Sequence, residues 1–146
     1  MSVSSMIVAK ACQQLAERVQ RDGGMPVCLA AVDHAGALIH LHRMDGAPER
    51  LISIATGKAY TAARMRVSTA MFRQRLLNEQ LSLADFLDEK FTSLPGGLPL
   101  FDQELVIGAV GVSGRTLEED ERLCQYFAEG ILSEVSHNGN TPSTTE

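Results

Sequence analysis

Apolar residues recur every three to four positions over residues 4–22, which predicts an amphipathic first helix. Two glycines, Gly23 and Gly24, follow at the position where helices commonly end, and Pro26 prevents the helix from resuming. A different element therefore begins after residue 26. The apolar stripe of the helix comprises Ile7, Val8, Ala11, Cys12, Leu15 and Val19.

Two runs with the composition of β-strands come next, at residues 27–32 and 37–43. The tetrapeptide Asp33-His34-Ala35-Gly36 between them is typical of a tight turn, so the two runs predict an antiparallel hairpin. The first run is apolar throughout, which indicates a strand buried on both faces. In the second run, the alternation of a strand places His40 and His42 on the same face.

The middle of the chain has helical periodicity. Residues 49–65 predict a helix rich in small side chains, which allow close packing against a sheet or against another subunit. Residues 68–78 predict a second helix, and residues 83–91 predict a short third one. This part of the chain therefore supplies the helices between two hairpins.

A loop at Pro95-Gly96-Gly97 precedes the second predicted hairpin, with strands at 98–101 and 105–113. The last helix is predicted to begin at Thr116, because Thr116 and Glu119 have the spacing of a capping box. Residues 137–146 are polar and are predicted to form a disordered tail.

The order of these elements is helix, hairpin, helices, hairpin, helix. It lacks the alternation of strand and helix that builds parallel sheets. The pattern therefore predicts the α+β class, with an antiparallel sheet that has helices on both faces. With 146 residues and no linker, the chain is predicted to form one domain over residues 1–136.

Charge and composition exclude several classes of partner. The net charge of −5 argues against a nucleic-acid surface, which needs clustered Lys and Arg. No apolar run is long enough for a membrane span and no secretion signal is recognisable, so we expect no membrane partner and a cytoplasmic location. The cysteines, Cys12, Cys28 and Cys124, form no CxxC pair and are expected to be buried.

Two blocks of the sequence resemble a known family. They are LAAVDHAGALIHLHRMDGA with ISIATGKAYTAA, and LPGGLPLF with VIGAVGVSGRTLEEDERLCQYFAEGI. In combination they are similar to the GlcG/HbpS-like family of haem-degrading domains, which also includes the C-terminal domain of PduO. The resemblance implies a profilin-like α/β/α fold with a five-stranded antiparallel sheet. It also implies homo-oligomers (dimers, tetramers or octamers) and, in some members, haem as a cofactor.

Several residues are candidates for a ligand site. His40 and His42 lie about 7 Å apart along one strand, and either imidazole could be an axial ligand, hence a metal ligand, if haem is bound. The alternative for this pair is an ordinary polar strand face. The backbone of Gly96 and Gly97 could line a recess that holds an anion, although turn geometry explains these glycines equally well.

Charged residues near the end of the second strand match the family pattern. Arg43 could hold a carboxylate or propionate and Lys58 could supply a point charge, or an internal Arg43–Asp45 pair could fix the loop. Asp33, Asp45 and Lys58 are the candidates for a catalytic proton carrier. For Asp33 we favour the formation of the turn.

Three functional hypotheses follow from these residues. The first is an oligomeric protein that binds haem or a related tetrapyrrole, accessory to a catabolic pathway. The second is a cofactor-free enzyme that acts on a small oxygenated metabolite such as a carboxylate, a diol or an aromatic compound. The third is an accessory subunit without pocket chemistry, in which the alanine-rich helix packs against other subunits.

Overall fold

The computed structural model describes residues 2–139. Over this range the chain forms four α-helices, namely α1 (Ser5–Asp22), α2 (Leu51–Met65), α3 (Thr69–Glu79) and α4 (Leu117–Gly139). It also forms four strands, namely β1 (Cys28–Val32), β2 (Leu38–Arg43), β3 (Gly97–Asp102) and β4 (Leu105–Ser113). A single 3₁₀ turn, Leu83–Phe86, lies between α3 and β3.

The four strands form one antiparallel sheet in the order β2-β1-β4-β3. The α+β class is therefore confirmed, but the described part of the chain contains four strands and not five. The two predicted hairpins, β1–β2 and β3–β4, join through their central strands. The segment between α2 and β3 forms α3 and the 3₁₀ turn instead of a further strand.

Helices cover both faces of the sheet. On one face, Leu29 and Ala31 of β1 pack in an apolar cluster with residues of α1 and α4. On the other face, Ala30 and Val32 pack against α2. Strand β1 is buried along its whole length, as its continuous apolar sequence predicts.

The small residues of α2 let the helix lie almost on the backbone of the sheet. A Cβ atom added to Gly111 of β4 would collide with the carbonyl oxygen of Ala55, and one added to Gly97 of β3 would collide with that of Lys58. Ala55, Ala59 and Ala62 are fully buried within the chain. The alanine-rich face of α2 is therefore used for packing on the sheet, which removes the reason for assigning it to subunit packing.

Most element boundaries agree with the sequence pattern, and two do not. Within the helix predicted at residues 83–91, only Leu83–Phe86 form a 3₁₀ turn, because Leu87 adopts a left-handed conformation with φ 55° and ends it. Helix α4 continues to Gly139, so the first residues of the predicted tail are helical. The rest of that tail, residues 140–146, lies outside the described residues.

Polar side chains and a glycine cap the helix ends, and the sequence indicated two of these residues, Gly23 and Thr116. Ser4 Oγ accepts hydrogen bonds from the N–H groups of Met6 and Ile7, and Gly23 ends α1 with φ 72°. Thr116 Oγ1 accepts a hydrogen bond of 3.1 Å from Glu119 N and donates one of 2.9 Å to its carboxylate. Among the described residues, the helices are all too short or too polar to cross a bilayer.

The close contact at Gly111 generates a test of this packing. We expect Gly111→Ala to lower the free energy of unfolding by about 3 kcal/mol, because its methyl group overpacks the interface with α2. Gly130→Ala is the matched control, since its Cβ would lie 3.6 Å from Ala11 Cβ, an ordinary contact. Within a helix this control should be neutral or stabilising by up to about 1 kcal/mol. Urea unfolding measures both; equal stabilities of the two variants would contradict the packing described.

Candidate functional site

A groove of ≈ 690 Å³ runs between α1 and strand β2. It exists because β2 is an edge strand, and α1 packs mainly over the core beside it, which leaves one face of β2 uncovered. Residues from α1, from the loop after it and from β2 with its exit line the groove. They are Ala9, Cys12, Gln13, Ala16, Glu17, Gln20, Gly24, Pro26, His40, His42, Met44 and Asp45.

The structure places His40 and His42 together in this groove. In the hairpin, His40 lies opposite Ala31 and His42 opposite Leu29. Because Leu29 and Ala31 face α1 and α4, both imidazoles lie on the α1 side of the sheet. His40 is half-buried and His42 is exposed. The period-two prediction that they share a face is therefore confirmed.

The groove also contains residues that the sequence analysis did not select. Met44 lies at the end of β2, where its N–H donates a 3.1 Å hydrogen bond to Val27 O. Cys12 of α1 is buried at the groove wall, and burial raises the pKa of its thiol to about 12. The thiol therefore stays protonated near neutral pH. Met44 and Cys12 line the same groove because of the way α1 crosses the sheet, and no local sequence pattern specifies that crossing.

Acidic side chains line the groove from both sides. Asp45 lines it from the loop after β2, and Glu17 lines it from α1. Arg43, the neighbour of Asp45, is outside the set of lining residues and donates a 3.0 Å hydrogen bond to Ala47 O. Within the described residues the two form no ion pair, so the loop is held by Arg43 through a backbone carbonyl.

Lys58 does not reach this groove. Its side chain is 1% exposed, and its ammonium donates to Val112 O at 2.8 Å and to Asp120 Oδ2 at 3.1 Å. It cannot serve as a free charge for a propionate or as an accessible proton carrier, because both roles require contact with a ligand. The proposed cluster of Arg43, Asp45 and Lys58 is therefore not assembled within the chain.

Asp120 was missed by the sequence analysis, although a signal for it exists. It precedes Cys124 by one helical turn, so the buried stripe of α4 extends back onto it. Its carboxylate also accepts hydrogen bonds from Arg115 N at 2.9 Å and Gly114 N at 3.3 Å. Burial raises the pKa of Asp120, while Lys58 and these N–H groups oppose that shift.

Gly96 and Gly97 serve the packing of Lys58 and α2. A Cβ on Gly96 would lie 2.9 Å from Lys58 Nζ, so the glycine leaves room for the ammonium. Gly97 N donates a 2.9 Å hydrogen bond to Thr69 Oγ1, and Gly96 O accepts one from Val112 N. The Gly97 N–H already has an internal partner, so it is not available to the anion recess that the sequence suggested.

Asp33 closes the turn of the first hairpin. Its Oδ1 accepts hydrogen bonds of 2.9 Å from both Ala35 N and Ala37 N. The turn-forming role favoured by the sequence is what the structure contains, and this carboxylate is engaged away from the groove. Of the proposed proton carriers, Asp45 alone lines the groove.

Comparison with known proteins identifies the family. A sequence profile described as "Haem degrading protein HbpS-like" matches residues 4–129. The chain belongs to the HbpS-like family. An uncharacterized 15.0 kDa protein of Citrobacter freundii, from the dhaT-dhaS intergenic region, is 32% identical to this HbpS-like chain over 132 residues, which cover 83% of the chain and 87% of that relative.

Two further comparisons agree with this assignment. Protein GlcG of Escherichia coli K12 is 36% identical over 87 residues, or 60% of the HbpS-like chain and 63% of GlcG. The structure of a complex of PduOC with haem superposes with a TM-score of 0.78 at 25% identity, covering 89% of this chain and 95% of that one. The predicted resemblance to the GlcG/HbpS-like family is therefore confirmed.

The Lys58–Asp120 pair generates a stability prediction for this HbpS-like chain. We expect Lys58→Met to lower the free energy of unfolding by about 3–5 kcal/mol, because it leaves the Asp120 carboxylate buried without its counter-charge. Asp120→Ala should cost less in the Lys58→Met background than in the wild type.

Urea unfolding of the wild type, the two single variants and the double variant measures this coupling. Lys10→Met is the control, since Lys10 bonds Glu134 at 2.9 Å with 59% of its side chain exposed, and the loss of an exposed pair costs at most about 1 kcal/mol. Additive effects of Lys58→Met and Asp120→Ala would contradict the assigned ion pair.

A second ion pair fixes the end of the groove at Gly24. The guanidinium of Arg115 forms two hydrogen bonds with the Asp22 carboxylate, of 2.7 and 2.8 Å, and Nε donates to Met25 O at 2.8 Å. Asp22 Oδ1 also accepts a hydrogen bond from Gly24 N. The hydrogen bond from Arg115, and after it the one from Gly24 N, lower the pKa of Asp22 from 3.8 to about 2.

This shift predicts how stability depends on pH. Because the pKa of Asp22 is lower in the folded state, its stabilisation is present above pH 3.8 and is lost as the pH falls towards 2. Thermal unfolding from pH 6 to pH 2 should therefore show Asp22→Asn less stable than the wild type at the higher pH and converging with it at the lower. In an Arg115→Gln background, Asp22→Asn should change the stability little at any pH. If Asp22→Asn and the wild type differed by the same amount at all pH values, the electrostatic origin would be refuted.

Proposed function

We propose that this HbpS-like protein binds haem or a related tetrapyrrole in the groove between α1 and β2. The observation that carries the proposal is the pair His40 and His42 on one face of an uncovered edge strand, inside a groove of ≈ 690 Å³. Haem iron accepts imidazole as an axial ligand. Either histidine is the proposed ligand.

The residues of the groove fit such a group in size and chemistry. Its volume lies within the range of about 300–1,000 Å³ that is usual for small-molecule sites. Ala9, Ala16, Pro26 and Met44 supply apolar surface against which a flat macrocycle can pack, and methionine is also a known axial partner of histidine. When bound, haem would supply the iron, and the chain would supply an imidazole and shielding from water.

The charges in the groove constrain how a tetrapyrrole enters. Glu17 and Asp45 repel carboxylates, so propionates should face solvent rather than these two side chains. Lys58 is unavailable as their partner, because its ammonium is buried against Asp120. Arg43, the partner suggested by the sequence analysis, pairs with Cys28 on the α2 side of the sheet and is outside the groove lining, so it is not assigned to a propionate here.

The comparisons support this proposal at the level of the family. The matching profile is described as haem-degrading, and the PduOC structure is a complex with haem. We also propose that copies of the chain associate, as the family resemblance implies. Both outer strands, β2 and β3, leave one backbone edge without a strand partner in the described part of the chain, and such edges favour association.

Spectroscopic titration with hemin tests the proposal. We expect a shifted, saturable Soret band in the wild-type protein that is lost in the His40→Ala, His42→Ala double variant, because it has no imidazole in the groove. His34→Ala is the matched control, since His34 lies at the β1–β2 turn and bonds Ser2 Oγ at 2.8 Å. Sedimentation of the same samples gives the mass of the species that carries haem.

Each single variant identifies the ligand. The one that removes the axial imidazole should lose the characteristic absorption, and the other should keep it with at most a modest change in affinity. An unchanged Soret band in the double variant would exclude both histidines. A band lost equally in His34→Ala would place haem outside this groove.

A further inference from the structure

A second, shallower cleft of ≈ 500 Å³ lies at the opposite end of the sheet from the histidine groove. The pairing of Val32 with Ala109 brings the β1–β2 turn beside the start of β4, and the C-terminal end of α2 closes the cleft. Its lining residues come from these three elements. They are His34, Ala35, Ala63, Arg64, Arg66, Leu105 and Val106.

Two arginines in this cleft donate hydrogen bonds to backbone carbonyls. Arg64 Nη1 donates to Ala35 O at 3.4 Å, and Arg66 Nη2 donates to Glu104 O at 3.3 Å. Neither guanidinium forms a salt bridge with any residue in the range 2–139. Each has five N–H donors, so most of them remain available to a ligand.

Asp88 is an acidic residue whose charge interacts with that of Arg64, and its carboxylate oxygens are hydrogen-bonded to other groups. Asp88 accepts a 2.6 Å hydrogen bond from the Tyr60 hydroxyl and a 3.0 Å one from Lys90 N. Arg64 itself lies 5.7 Å from the centroid of the Tyr60 ring, which holds its stem beside the cleft. The charge of Arg64 contributes to lowering the pKa of Asp88, but the two side chains form no direct ion pair, so the guanidinium N–H groups stay open to a ligand.

The cleft also has an apolar side. Leu105 is 66% exposed, and the half-buried Val106 lines the cleft beside it. Arg66 adopts a left-handed conformation with φ 62° at the end of α2, where glycine is the usual residue. Cationic groups next to apolar surface are suited to a ligand that has an anionic group and an apolar part.

We propose that this cleft binds a small organic carboxylate with an apolar body. The planar guanidinium groups of Arg64 and Arg66 match the geometry of a carboxylate, and Leu105 and Val106 pack against the apolar part. Inorganic phosphate shares the charge but gains nothing from the apolar surface. The site is separate from the proposed haem groove and does not depend on it.

Benzoate is the probe for this site, observed by ¹H–¹⁵N NMR of the uniformly labelled protein. We expect saturable shift changes at the amides of Ala35, Leu105 and Val106. Benzamide, which has the ring without the charge, and acetate, which has the charge without the ring, should each bind at least about tenfold more weakly. Inorganic phosphate should also bind more weakly than benzoate.

Variants assign the binding to the two arginines. Arg64→Gln with Arg66→Gln should weaken benzoate binding at least about tenfold, because it removes two charge-assisted hydrogen bonds. Arg73→Gln with Arg75→Gln makes the same change of charge on α3 and should leave the affinity unchanged. Arg64→Gln alone leaves Arg66, the residue that ends α2, unchanged. We expect this single variant to keep the fold and to lose part of the affinity for benzoate, which separates a loss of binding from a loss of folding.

Three results would overturn the proposal. They are benzoate shifts confined to the groove around His40 and His42, affinity retained in the Arg64→Gln, Arg66→Gln variant, and phosphate binding as tightly as benzoate. The first two would remove the site, and the third would remove the ligand class.

Discussion

The buried ion pair between Lys58 and Asp120 is the interaction on which the layered arrangement depends. Lys58 belongs to α2 on one face of the sheet, and its ammonium passes Gly96 to reach the Asp120 carboxylate at the start of α4. The core contacts of α4 lie on the other face. Charges removed from water must be fully hydrogen-bonded. The described residues meet this requirement, since Val112 O, Gly114 N and Arg115 N complete the shell of the pair. Helices on opposite faces are thereby held in one relative position.

The same packing accounts for the groove. Helix α2 lies so close to β4 and β3 that glycines must face it, which makes that side of the sheet dense. On the other side, α1 and α4 pack over the central strands and leave the outer strand β2 partly uncovered. His40 and His42 therefore lie on a rigid strand beside an opening, an arrangement suited to holding a ligand.

The two candidate sites differ in charge and lie at opposite ends of the sheet. The groove at the start of β1 combines imidazoles and apolar side chains with Glu17 and Asp45. The cleft at the β1–β2 turn contains Arg64 and Arg66 and presents no acidic side chain in its lining. Because charge selects ligands by sign, the arginine cleft would favour a small carboxylate, whereas the haem proposed for the groove would depend on the imidazoles and the apolar surface.

The sequence by itself determined the class of the fold, the two hairpins, the helix caps and the shared face of His40 and His42, because these depend on local periodicity and turn chemistry. The same local logic explains why Asp33 forms the turn. Tertiary structure alone decided that Lys58 pairs with Asp120, that Gly96 and Gly97 pack against α2, and that Met44 and Cys12 join the histidines. These contacts join residues distant in the chain, and their existence depends on how the helices cross the sheet, which no short window of sequence specifies.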